Sequence, residues 1–431
     1  MTRRTRRYLY LLVAVGAAVL IGAGGTVVWC ERGLSQARGL AKYGLWPDAR
    51  RAVTRYLWVH PCDTQARLLC AETLIKDERL PADRSAPQAL VHLQAIPDTA
   101  PEGARARTQE GRLELFLLYH PTRAEQLLRR ALELDPATPE PYYLLWKLKD
   151  LTGRSHLAES EFWKVYEATV VDRRVLRLRE WYMSQFYPTT ANPVLDRLMG
   201  FVAAKKSNPE LTEAFRFIRF RNEEPESALC HAALARWYQN EGDARLALES
   251  LDQAQAKIQG AEQEPFYLAT LISILIEMGE LGRADRCFQQ WPKPHAGYEY
   301  WLAEGLVLQE VRGHYAEACR AYDLALGEWP GTVDWRTRNR KANCLARMRD
   351  QAGAARERAA AKVMEQLMDE KIHQRLRYAM GFLHDPKRAQ ELVDFYQKIG
   401  RPREAAAWSE HIARLQTQSA SEPQSPAAKG G

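Results

Sequence analysis

The sequence predicts an all-α protein: a series of repeated helix pairs, preceded by one membrane-crossing helix. Three observations predict it. An uncharged run of 22 residues lies near the N-terminus. Beyond Glu31 the apolar periodicity is helical, with no alternating run of strand type. A glycine followed five residues later by an alanine recurs six times along the chain. Composition agrees. With 431 residues, 46% of them hydrophobic, and a mean hydropathy of −0.45, the chain is neither a disordered polymer nor a polytopic membrane protein.

The N-terminal element comes first. Met1 to Arg7 carry Arg3, Arg4, Arg6 and Arg7, and the uncharged run extends from Tyr8 to Trp29. A helix rising about 1.5 Å per residue needs about 20 residues to cross a hydrocarbon core. Tyr8, Tyr10 and Trp29 stand at its two ends, where interfacial aromatics belong. Val27, Val28 and Trp29 give a poor cleavage site and Trp29 a poor lipobox before Cys30, so a retained anchor is expected over a cleaved signal or a lipoprotein. The arginine cluster places the N-terminus in the cytoplasm and the bulk of the chain outside, at the inner membrane. Ala14, Ala18 and Gly22 form a small-residue stripe through which two spans would pair as a homodimer.

The repeat follows. The spaced pairs are Gly44/Ala49, Gly153/Ala158, Gly242/Ala247, Gly279/Ala284, Gly313/Ala318 and Gly400/Ala405. Each residue type has a local reason. Glycine supplies the left-handed residue that closes a first helix. Alanine lets the second helix approach the first, an aromatic residue or leucine about four positions on continues that face, and proline ends the unit. Two further units, around Ala89 and Ala124, lack the glycine. Counting these eight alanines, the successive spacings are 40, 35, 34, 89, 37, 34 and 87 residues. The two long gaps have room for one degenerate helix pair each, over 181–202 and 340–367.

Trp301, Gly305, Gly313, Tyr315, Ala318, Tyr322, Ala325 and Pro330 resemble the tetratricopeptide (TPR) repeat, a helix–turn–helix of about 34 residues. The resemblance implies a right-handed α-solenoid, with first helices lining an inner groove and second helices outside. It covers residues 31–416 as about ten helix pairs, between an anchor at 1–30 and a Ser/Pro-rich tail at 417–431 expected to be disordered. The single-span TPR plan also resembles bacterial envelope proteins.

Motifs for chemistry are missing: there is no metal-ligand spacing, no nucleophile elbow and no phosphate-binding glycine loop. No catalytic residue, metal or cofactor is therefore expected. Seven cysteines without a framework read as packing residues. Arginine-rich stretches lack stacking aromatics, so nucleic acid is not expected. Projection of the first helices directs Arg38, Lys42, Tyr143, Lys147, Arg236, Gln239 and Asn240 into the groove, where several cations would suit an acidic peptide. The Lys/Asn carboxylate clamp of TPR domains that bind chaperone tails is absent from the matching positions. The expected function is a membrane-anchored scaffold for proteins or peptides at the cell envelope. An enzyme with an unrecognised groove site and a cytoplasm-facing assembly factor are the alternatives. Four of the seven net positive charges lie before the span, so the basic balance is chiefly a topology signal.

Overall fold

The computed structural model describes residues 32–186, 209–258 and 260–421. The expected membrane span, its aromatic ends Tyr8, Tyr10 and Trp29, and the Ala14/Ala18/Gly22 stripe lie outside the described residues. Among the described residues no helix is long and apolar enough to cross a membrane.

All regular structure described is helical. The chain divides into two compact units, 1–144 and 145–431. The first holds α1 (Gly33–Lys42), α2 (Trp46–Val59), α3 (Thr64–Lys76), α4 (Ala82–Gln94), α5 (Gly103–Phe116) and α6 (Pro121–Leu134). The division falls within α7 (Pro139–Leu151). The second unit continues with α8 (Glu159–Ala168), α9 (Arg174–Phe186), α10 (Pro209–Glu223), α11 (Ala228–Asn240), α12 (Ala244–Lys257), α13 (Pro265–Glu277) and α14 (Leu281–Gln289). It ends with α15 (Tyr298–Leu306), α16 (Tyr315–Gly327), α17 (Trp335–Arg347), α18 (Gln351–Leu367), α19 (Glu370–Ala379), α20 (Pro386–Lys398) and α21 (Pro402–Ser421).

The spaced residues do what their chemistry requires. All six turn glycines have positive φ, between 67° and 83°. At Gly313, φ 67° reverses the chain between α15 and α16 without the clash a Cβ would meet. Ala49, Ala89, Ala124, Ala158, Ala247, Ala284 and Ala318 are completely buried, and Ala405 is 3% exposed. In the first unit Leu68, Leu74, Ala86, Ala89, Leu93, Ile96, Ala106 and Leu113 form one core across α3, α4 and α5.

Two non-glycine residues take the same turn. Tyr119 (φ 64°) stands five residues before Ala124, and Arg349 (φ 66°) stands five before the fully buried Ala354. The expected degenerate pair over 340–367 is thus an ordinary pair, α17 and α18, whose turn lacks glycine. Arg349 is exposed, and a left-handed non-glycine residue costs about 1–2 kcal/mol. Arg349→Gly should raise the stability of the unit by about 0.5–1 kcal/mol after the added chain entropy of glycine. Thermal unfolding followed by circular dichroism reads this, and a lowered midpoint would refute the assignment.

Three expectations need correction. The helix expected to end near 416 runs to Ser421, five residues into the predicted tail. The expected pair at 181–202 is represented by α9, which begins earlier, at Arg174; the rest lies outside the described residues. Most consequential, the second unit is not a simple series in which each pair meets only its neighbours. α9, near the unit's beginning, packs on the unit's last three helices. The Trp181 indole N–H donates to Glu404 at 3.1 Å, although 223 residues separate them. Tyr182 Oη lies 2.6 Å from His373 Nδ1, Tyr396 Oη donates to Gln185 at 3.0 Å, and Arg414 donates to the Val171 carbonyl at 2.6 Å. Trp181 also stacks on Phe162 at 4.5 Å. The driving force is burial of large aromatic surface: Trp146, Trp181, Tyr182, Phe162 and Tyr396 are each under 2% exposed.

Candidate functional site

A groove in the second unit has a volume of about 910 Å³. Its walls are the first helices of four successive pairs, α11, α13, α15 and α17. Ser227 caps α11, its hydroxyl accepting from the Cys230 amide, and the helix supplies Arg236, Gln239 and Asn240. Pro265 opens α13, a helix that buries Phe266, Leu268, Leu271, Ile272 and Leu275, and turns Ser273 and Glu277 to the groove. α15 contributes Tyr298, Glu299 and Leu302. It ends in a π-helical turn, Val307–Val311, which carries Glu310 into the wall. Asp334 caps α17 by accepting from the Thr337 amide at 3.0 Å, and Arg336 and Arg340 follow.

The charges are largely matched within the wall. Arg236 donates to Glu299 through both terminal nitrogens, at 2.7 and 3.2 Å, and its guanidinium lies 4.2 Å from the Phe266 ring centroid. His156 Nε2 lies 3.1 Å from the same carboxylate. Burial alone would push Glu299 up, but Arg236 and His156 together hold it well below the usual carboxylate range. The Tyr298 hydroxyl donates to Asp334 at 2.8 Å, and burial with these neighbouring carboxylates keeps it protonated far above its ordinary range. Gln239 bridges Ser273 (3.0 Å) and Glu277 (2.9 Å). Arg340 approaches Glu310 at 3.7 Å.

Three arginines thus face four carboxylates in the lining. The expected basic groove for an acidic peptide is therefore not what the second unit presents. Glu277, exposed and held only by neutral Gln239, and Arg336, exposed and without a carboxylate partner among the described residues, leave one charge of each sign open.

The seven residues expected in the groove are not gathered at one site. Arg236, Gln239 and Asn240 line the groove just described. Arg38 lines a smaller cavity of about 380 Å³ in the first unit with Gln65, Glu72, Glu102 and Arg105, where it bonds Gln65. Lys42 is exposed at the end of α1, and Tyr143 is half-buried on α7. Lys147 corrects the projection. It is fully buried, its ammonium 3.6 Å from the Trp146 ring centroid, 3.6 Å from Asp150 and 3.9 Å from Glu180. It stands six residues before its turn glycine, as Arg38 and Arg236 do, but α9 packs over it. Ser273 and Glu277, missed by the projection, stand six and two residues before Gly279, the same register as Arg236 and Asn240 before Gly242. The uniformly apolar face of α13 hid them.

Of the six cysteines among the described residues, Cys62 is exposed and the others buried. Burial pushes Cys70 up to about 11 and Cys344 up to about 12, as expected of unreactive packing thiols.

No family model matches this sequence. No curated protein matches it either. Among solved structures, the TPR domain of P58(IPK) is similar over 90% of this chain and 99% of its own, at 17% identity and a TM-score of 0.25. A chain of the APC/C hetero-tetramer Cut9–Hcn1 matches over 90% of this chain and 73% of its own (10% identity, TM-score 0.35). A TPR protein from Parabacteroides merdae matches 61% of this chain and 91% of its own (14% identity, TM-score 0.29). At these TM-scores the likeness carries no statement about partners.

Proposed function

We propose that the chain is a membrane-anchored, TPR-like scaffold of no enzymatic activity, whose second unit holds a segment of a partner protein. One observation carries this reading. Four consecutive first helices turn hydrogen-bonding side chains into a single groove of about 910 Å³ whose internal charges are largely paired. A largely paired wall with Glu277 and Arg336 open favours a segment bearing both signs over an acidic one. The uncharged run from Tyr8 to Trp29 is the anchor, at the inner membrane of a bacterial envelope. The arginines before it place the helix pairs outside the cytoplasm.

A photo-crosslinking amino acid at Asn240, exposed on the groove, should yield a discrete protein adduct in cells. The same probe at Glu249, exposed on α12, should not. Equal labelling at the two positions, or none at Asn240, would sink the groove assignment.

A further inference from the structure

The first helix pair exposes two large aromatic side chains at its opposite ends. Trp58 is 75% exposed in the last turn of α2, with Val59 beside it at 37%; Tyr43 is 84% exposed in the turn after α1. Chain connectivity distinguishes the two ends. Gly33 begins α1 and packs against the last turns of α2: a Cβ placed there would stand 2.6 Å from the Ala52 carbonyl oxygen and 3.2 Å from Tyr56 Cβ. Trp58 therefore sits at the end of the pair where the chain enters from the uncharged run. Trp29, the end of that run, precedes Gly33 by four residues, a reach of at most about 14 Å. α1 has ten residues, so Tyr43 is carried about 15 Å further away.

Three arginines stand at this end of the pair, among acidic residues that are mostly engaged. Arg32 is exposed immediately before α1. Arg55 stands one turn before Trp58 and donates to Gln36 at 3.2 Å. Arg67 is held over the same tip by donating to the Pro61 carbonyl at 2.7 Å. Of the acidic residues there, Asp63 is engaged in capping: it accepts from the Ala66 amide at 2.9 Å and from the Tyr56 hydroxyl at 2.8 Å. Glu102 accepts from the Thr64 hydroxyl at 2.6 Å, and Glu31 stands beside Arg32 in the sequence. An exposed indole at the end of the pair nearest the uncharged run, with arginines on the same tip, matches the headgroup layer of an anionic bilayer, which accommodates a flat amphipathic ring and attracts cations.

We infer that the Trp58–Val59 tip, with Arg32, Arg55 and Arg67, seats on the membrane surface as a second, non-spanning contact and stands the first helix pair end-on to the bilayer. This rests on the reading of residues 8–29 as a span. The two are separable by spin labels in the full chain, with Cys30→Ser and Cys62→Ser removing the other accessible thiol positions.

Labels at Leu20→Cys, Trp58→Cys and Tyr43→Cys would be compared in vesicles of phosphatidylcholine and phosphatidylglycerol, by accessibility to oxygen against a nickel chelate. The label at 58 should favour oxygen several-fold over the label at 43, and the label at 20 should be more lipid-exposed still. A label at 58 as wet as that at 43, with 20 in lipid, overturns the tip contact and leaves the anchor standing. A wet label at 20 overturns the anchor and the inference with it. Lipid signatures at both 43 and 58 would lay the pair flat and refute the end-on arrangement. Spin–spin broadening at 58 would assign the patch to a second copy instead.

Discussion

Gly305→Ala will destabilise the second unit by about 2 kcal/mol, although alanine is the better helix former by about 1 kcal/mol. The reason is a single close approach. A Cβ at Gly305 would fall 2.5 Å from Cδ1 and 3.0 Å from Cζ of Tyr322, a fully buried ring on the facing helix. The ring cannot step aside: its hydroxyl donates to Gln309 at 2.8 Å, and Ala318, Cys319 and Cys344 pack around it. Thermal unfolding and hydrogen exchange over α15 and α16 measure the effect. Two companions make it diagnostic. Gly39→Ala, in α1, meets nothing within 4 Å and should be neutral or slightly stabilising. In the Gly305→Ala/Tyr322→Leu double variant the losses should be clearly less than additive, because the smaller side chain removes the clash. Additive losses would mean that Gly305 matters for some other reason.

Glu299→Gln will produce the second large effect, a loss of about 2–3 kcal/mol. Breaking a buried ion pair costs about 3–5 kcal/mol, reduced here because Arg236 keeps a quarter of its side chain exposed. The variant leaves the guanidinium of Arg236 and the ring of His156 against a neutral amide. The effect depends on pH. Because the Glu299 carboxyl ionises at lower pH in the folded protein than in the unfolded chain, the unfolded state binds more protons as the pH falls. The stabilisation is complete above the unfolded value of about 4.3 and is lost progressively below it. Denaturant unfolding should therefore show wild type and Glu299→Gln furthest apart near neutral pH and converging as the medium becomes acidic. A gap that stays constant from pH 7 to pH 3 would contradict this account.

Much of the architecture was legible because its determinants are local. A glycine, an alanine five residues later and a proline beyond encode one turn and one close helix contact, all within about 35 residues. Where the residue type changed but the backbone did not, the rule became invisible: Tyr119 and Arg349 occupy left-handed turns that only their spacing to Ala124 and Ala354 betrays. The groove was legible in register, not in chemistry. Arg236 and Asn240 were found by projecting one helix. The same projection on α13 leads to Ser273 and Glu277, and the excess of carboxylates over arginines in the lining emerges only when four helices are assembled.

Lys147 shows where local reading ends. Its register equals that of Arg236, yet it is sealed beneath α9 beside Asp150, whose burial pushes its carboxyl up to about 6. By itself the sequence determined most of the helices, their pairing and the six glycines that close turns, since each rests on contacts between near neighbours in the chain. Only the tertiary structure decided that α9 meets α21 through Trp181 and Glu404, that Lys147 is buried beneath α9, and that the groove pairs most of its charges within its own wall. The first of these joins side chains 223 residues apart, and no periodicity records such a meeting.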